Sequence, residues 1–152
     1  MNFETLLHQR AVPFKRHVHH AAYTSQELAD LEHVSGYMVA KPVIVKCPTG
    51  YIMCVLAACD HLDLSKVARI VGDVDIQLAS EREMKSLFPD CELGAEPPVG
   101  AMFDLKTIMD DRLCAHERLV MQAGSHTEAV DMLRADWEGL CRPVVANIRR
   151  GV

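Results

Sequence analysis

The chain has 152 residues, 49% hydrophobic and 24% charged, with a formal net charge of −5, a globular composition with room for one full core and too little length for two. No apolar run reaches the ~18 residues that cross a bilayer, and the start, Met1 to His8, lacks a basic region followed by an apolar block, so a cytoplasmic soluble domain spanning 1–152 is expected. The net negative charge excludes a long nucleic-acid track but leaves room for a local basic patch that grips few phosphates.

Phe3, Leu6 and Leu7 fall at helical spacing and Pro13 closes that segment, which predicts a short first helix. Phe14 to His20 reads as extended. Thr24-Ser25-Gln26-Glu27 has the spacing of a capping box and opens a helix that ends before Gly36. Tyr37 to Lys46 and Tyr51 to Ala57 are β-rich runs joined by Cys47-Pro48-Thr49-Gly50, which predicts a hairpin. Both parities of the first run are largely apolar, so Lys41 points among hydrophobic neighbours, and Pro42 beside it cannot donate to a ladder.

Asp63 caps a helix over Leu64 to Val71 with Gly72 as its stop, Ile76 to Leu78 predicts a short strand, and Ser80 to Glu83 is a second capping box whose helix ends at Pro89. The stretch Cys91 to Asp104 follows, with Pro97 and Pro98 between Gly94 and Gly100. Fixed φ at the prolines and free φ at the glycines predict a stiff loop that turns sharply at both ends, neither helix nor central strand, able to offer backbone groups to a ligand. Met102 to Met109 and Leu119 to Gln122 read as strands, Gly124 as a tight turn, Thr127 to Leu133 as strand or helix, and Asp136 to Cys141 as helix, with Pro143 before a last apolar run. The irregular alternation predicts an α/β domain with a mixed sheet.

Among chemical candidates, Lys41 comes first, because an ammonium on an apolar face needs an anion or a route to water. His126 follows a glycine turn that can present it to a pocket. His17 and His19 share one face of an extended segment and are the candidate metal pair, although no H-E-x-x-H or carboxylate cluster accompanies them. The six cysteines include no C-x-x-C pair and read as reduced. No G-x-S-x-G elbow, Walker loop or dinucleotide fingerprint is present.

Three motifs taken in order, Ala40-Lys41-Pro42-Val43-Ile44-Val45-Lys46, Gly94-Ala95-Glu96-Pro97-Pro98-Val99-Gly100 and Ala123-Gly124-Ser125-His126, resemble the YbaK and prolyl-tRNA synthetase insertion-domain superfamily of trans-editing aminoacyl-tRNA deacylases. The resemblance implies a mixed, barrel-like sheet with helices around it. It also implies that Lys41 contacts the phosphate at the terminal adenosine of tRNA, that Gly94, Ala95, Glu96, Pro97, Pro98 and Gly100 bind the aminoacyl end through backbone groups, and that Gly124, Ser125 and His126 border the amino-acid pocket. Neither a cofactor nor a metal is implied, and water attacks the ester. The implied partners are the acceptor end of a mischarged tRNA and an aminoacyl-tRNA synthetase, with no membrane and no DNA. Pro42 stands where many members have threonine and His126 where many have glycine, which leaves the amino acid open among alanyl, seryl, threonyl and cysteinyl esters. A non-catalytic tRNA- or synthetase-binding module and a metal-dependent hydrolase built on His17 and His19 are the alternatives.

Overall fold

Side-chain caps set where the helices begin. In the computed structural model, which describes residues 2–151, Asn2 caps α1 (Phe3–Gln9), Thr24 caps α2 (Ser25–Leu31), Asp63 caps α3 (Leu64–Val71) and Ser80 caps α4 (Glu81–Leu87). In each case a side-chain oxygen accepts from an N–H of the first turn, a group the helix leaves unpaired. The Ser80 box closes reciprocally, whereas Glu27 reaches past Thr24 to the Tyr23 N–H at 3.3 Å. The last helix, α5 (Arg134–Cys141), continues directly from a strand with no side-chain cap.

The strands are β1 (Phe14–Val18), β2 (Ala40–Cys47), β3 (Gly50–Ala57), β4 (Gln77–Leu78), β5 (Lys106–Asp110), β6 (Arg118–Gln122), β7 (Glu128–Leu133) and β8 (Val144–Ala146). They form an antiparallel sheet in the order β1-β7-β6 and a mixed sheet in the order β4-β2-β3-β5-β8, in which β3, β5 and β8 run parallel. A bridge between Val39 and Val120 links the two sheets. The mixed α/β architecture expected from the sequence is therefore present.

The β2–β3 hairpin is apolar on both faces because both faces are covered. Ala40, Ile44, Met53, Val55 and Ala57 join the main core with α1, β6, β7 and Trp137. On the opposite face Val45, Cys47 and Cys54 pack with Val67 of α3 and with Ile148, while Val39 and Ala58 pack under Leu28 and Ala29 of α2. Lys41 has the parity of Val39 and Val43, so it emerges at the seam between the α2 cover and the α3 cover. Pro42 fits its place. With Cys47 opposite Gly50 at the turn, the ladder alternation turns residue 42 away from β3 toward the outer edge. That edge is bridged at Val39 and paired again at Val45 and Lys46, so the missing N–H falls in the gap.

Asp110 closes β5 as a fully buried carboxylate that accepts from the Ile148 N–H at 2.9 Å and from Arg149 Nη1 at 3.0 Å. It pins the C-terminal segment against α3, since a buried charge is tolerated only with such partners.

Three expectations change. The strand expected from Met102 begins only at Lys106, because residues Gly100–Phe103 wind into a 3₁₀ turn, so part of the Cys91 to Asp104 stretch is helical after all. The first strand of the hairpin starts at Ala40 and not at Tyr37, since Met38 N–H turns back to Ser35 O at 2.9 Å. Gly100 does not take a positive φ; a Cβ there would lie 2.3 Å from Thr107 Oγ1 and 2.6 Å from Leu105 O. Close approach, not left-handed backbone, requires glycine at 100. The ambiguous Thr127 to Leu133 run is strand, because β7 pairs on both edges.

Gly100→Ala should lower stability by about 1–3 kcal/mol through overpacking against a backbone carbonyl. The urea midpoint checks this, and an unchanged midpoint would show that Leu105 and Thr107 yield freely.

Candidate active site

The two glycine-bearing loops hold each other. Glu92 N–H donates to Gly124 O at 2.9 Å and Gly124 N–H donates to Ala95 O at 2.8 Å. Gly94 and Gly124 have φ of +88° and +102°, so each supplies a left-handed turn that a side chain would strain. Behind the clasp, Ala95, Glu96, Pro97, Pro98 and Gly100 are buried, and Trp137 Nε1–H donates to Pro98 O at 2.8 Å.

The loop spends most of its own backbone groups. Glu96 is buried and its Oε1 accepts the Gly94 N–H at 3.1 Å. Ala95 N–H is taken by Glu92 O, and Pro97 O by the Val99 N–H. Both prolines lack an N–H. Between Gly94 and Pro98, the groups with no hydrogen bond among the described residues are Gly94 C=O and the N–H and C=O of Glu96.

His126 is buried and tied to the segment ahead of α2. Its Nδ1 lies 3.1 Å from Ala22 O, and its own carbonyl accepts the Ala22 N–H at 2.7 Å. A carbonyl only accepts, so Nδ1 is the donor in that contact. Nε2 lies 3.9 Å from Glu92 Oε2. The ring packs against Tyr23 with centroids 4.8 Å apart, and its Cε1 lies 3.5 Å from where a Cβ on Gly94 would sit. Gln122 Nε2 also donates to Ala22 O, at 3.2 Å, while its Oε1 is buried without a partner. Ser125 Oγ lies 3.3 Å from Thr127 Oγ1.

Lys41 connects to this region through α2. Its Nζ donates to Ala58 O at 3.1 Å, and Gln26 Nε2 donates to the same carbonyl at 3.3 Å. Gln26 is one turn along α2 from Tyr23, which reaches Gly94 and His126. Burial lowers the Lys41 pKa below its ordinary value, with the charges of Asp60 and Cys59 opposing the shift. Among the described residues Lys41 makes no ion pair, so a partly buried ammonium is satisfied by one neutral oxygen.

Two groupings result: Lys41 and Gln26 share the Ala58 carbonyl, and Gly94, Tyr23 and His126 are in contact, with Tyr23 three residues ahead of Gln26 in the chain. Pro97, Gly124 and Ser125 instead line a cleft of about 560 Å³, together with Phe3 and Cys91. Neither Lys41 nor His126 lines that cleft. Burial, Glu96 and Asp90 push the Cys91 thiol up to about 11, which keeps it protonated and unsuited to nucleophilic attack at neutral pH.

The candidate metal pair has another partner. His17 Nδ1 lies 2.5 Å from Glu32 Oε2 and His19 Nε2 lies 3.9 Å from Glu32 Oε1. Among the described residues no group of three or more His, Cys, Asp or Glu side chains is arranged to hold a metal ion. Sequence reasoning missed Tyr23, Gln26 and Gln122. Their one local signal is that Tyr23 and Gln26 flank or lie within the Thr24 cap, the point at which α2 is aimed.

Residues 19–140 match the model of the aminoacyl-tRNA editing domain. The chain is 27% identical over 150 residues to the multifunctional Ser/Thr-tRNA deacylase ProXp-y of Escherichia coli, covering 95% of this chain and 89% of that protein. Among solved structures, a proposed trans-editing enzyme for prolyl tRNA synthetase superposes with a TM-score of 0.85 at 20% identity, over 97% of this chain and 94% of the other. The hypothetical protein APE2540 does so with a TM-score of 0.87 at 19% identity, over 97% and 98%. These two likenesses speak for the fold alone. The family match spans most of the chain and all three motif regions, so the chain belongs to the aminoacyl-tRNA editing domain family and is an aminoacyl-tRNA deacylase, a hydrolase of ester bonds.

Proposed function

We propose that the protein, acting as one editing domain over residues 1–152, clears tRNA mischarged with a small amino acid, and that Lys41, Gly94 and His126 mark where the aminoacyl-adenosine end lies. The observation that carries this reading is the Lys41 ammonium, partly buried at the seam between two helix covers, within electrostatic reach of Asp60 but in no direct ion pair among the described residues. A terminal phosphate supplies the direct partner. The clasped loops then present Glu96 N–H, the one backbone donor still open between Gly94 and Pro98 among the described residues, toward the ester.

No side chain on this surface is an activated nucleophile. The protein contributes fixed dipoles and position, while water attacks the ester carbon with help from the neighbouring ribose hydroxyl and the ribose oxygen leaves. Seryl and threonyl esters gain support from the named activity of the E. coli relative; alanyl-tRNA(Pro) and cysteinyl esters are the further candidates. The acceptor end is the part of tRNA engaged, a synthetase is a candidate partner, and the cytoplasm is the proposed compartment; no helix among the described residues is long and apolar enough to cross a membrane. Incubation with a panel of alanyl, seryl, threonyl and cysteinyl tRNAs tests the reading, and binding without cleavage of any of them would leave a non-catalytic module.

Lys41→Ala should reduce kcat/KM about ten- to a hundredfold with the fold retained, the effect of losing one charge-assisted bond. Unchanged kinetics would show that Lys41 only reaches for solvent. Because a phosphate binds the protonated ammonium, kcat/KM should fall as pH rises through the lowered Lys41 pKa, below the usual 10.5. Lys41→Arg should remove that alkaline fall, since a guanidinium stays charged. Activity should persist in EDTA; loss that zinc restores would sink the metal-free mechanism.

His126→Gly should widen the range of esters cleaved, because the ring stands against Gly94 and Tyr23 and narrows the space beside them. Steric selection of this kind is worth about 1–3 kcal/mol per methylene, so ratios between esters should shift by about ten-fold or more. A uniform collapse across all four esters would identify the ring as a general base, and unchanged ratios would place it outside the pocket.

A further inference from the structure

Tyr37, Asp60 and Arg112 form a cluster beside Lys41 that the reading above leaves unused. The turn that ends β3 anchors both cations. Ala58 O receives Lys41 Nζ at 3.1 Å, and two residues on, Asp60 Oδ1 receives Arg112 Nη1 at 2.9 Å. The Cys59 thiol between them lies within electrostatic reach of Lys41, Arg112 and Asp60. Arg112 comes from the 3₁₀ turn Asp111–Ala115 and lays its guanidinium 5.3 Å from the centre of the Tyr37 ring. Tyr37 is nonetheless 45% exposed.

An aromatic ring braced on one face by a fixed guanidinium is a rigid platform. Its edge chemistry is unspecific, but its π-face suits a planar base, and stacking on such a face recurs where proteins hold single-stranded nucleic acid. Its position next to the phosphate-seeking Lys41 makes it continuous with the terminal-adenosine site. The charge fits as well, for the cluster holds two cations, Lys41 and Arg112, against one carboxylate, Asp60, on a chain whose net charge is −5. The bland account is an exposed tyrosine in the Ser35 to Met38 turn, which explains neither the bracing by Arg112 nor the fixing of Arg112 by Asp60.

We infer that Tyr37 and Arg112 seat the cytidine that precedes the terminal adenosine of the substrate tRNA, its base stacked on Tyr37 and its phosphate drawn by Arg112. The inference rests on the proposed engagement of the terminal phosphate by Lys41. Every tRNA ends in cytidine-cytidine-adenosine, so the seat adds grip and register without choosing among tRNAs.

Calorimetry with uncharged cytidyl-cytidyl-adenosine and with adenosine 5′-monophosphate tests it without relying on hydrolysis. Tyr37→Ala should bind the trinucleotide about ten-fold more weakly than the wild type and the monophosphate equally well. Tyr37→Phe should keep wild-type affinity, because the π-face remains. A trinucleotide abasic at the penultimate position should lose a similar factor in the wild type and nothing further in Tyr37→Ala. Equal affinity of Tyr37→Ala and wild type for the trinucleotide would overturn the seat, as would a parallel loss on the monophosphate. If the wild type binds the monophosphate through Lys41 but the trinucleotide no better, the seat fails and the Lys41 reading stands; if it binds neither, both fail.

Discussion

A hairpin that is apolar on both faces must be covered on both, and that requirement arranges most of the molecule. One face of β2–β3 lies on the main core with Trp137 and the β1-β7-β6 sheet. The other is too long for one short helix, so α2 covers its end near Val39 and Ala58 while α3 covers the part near Val45 and Cys54. Burial of such side chains contributes about 1.5–3 kcal/mol each, so both covers are strongly held. The seam between them is the place where a polar side chain of that face can reach water. Lys41 stands there half-buried, and burial holds its pKa below the ordinary value.

The clasped loops follow the same logic from the other side. Prolines at 97 and 98 and the buried Glu96 leave the 94–98 backbone few groups to satisfy, and Gly124, Glu92 and Trp137 take most of those. A loop in which two of three backbone donors have fixed partners pays much of its ordering entropy at folding and not at binding. His126 belongs to this scaffold as much as to the pocket, since its two bonds to Ala22 tie the late loop to the start of α2. Any selectivity role of the ring is therefore exercised from a held position.

Local chemistry was legible in the sequence. Caps at Thr24, Asp63 and Ser80, the hairpin, the glycine turn at 124 and the three motifs are read within windows of a few residues, and they pointed to the fold and singled out Lys41, Gly94 and His126 as candidates. What escaped is nonlocal. Arg112 meets Asp60 across 52 positions, Arg149 meets Asp110 across 39, and His126 meets Ala22 across 104, and no periodicity in one sequence announces such pairs. Gly100 shows a subtler limit, since two reasons for glycine, positive φ and close approach, look the same as letters. The 3₁₀ turn at 100–103 was hidden by apolar residues that suit a strand equally well, and the His17 and His19 pair read as a ligand face because Glu32 was out of sight.

Charge sets the last constraint. With a net charge of −5, the protein cannot draw most of its affinity from counterion release along a tRNA body, because that term grows with the number of phosphates neutralised. Recognition has to be concentrated at short range, where one desolvated ammonium and a few fixed dipoles act in a local dielectric lower than that of water. Such a grip tolerates many tRNAs that share an acceptor end and discriminates at the ester. The proposed division of labour is compatible with the architecture: Lys41 on a strand beside the turn after β3, and a clasped pair of loops in which His126 is held by Ala22.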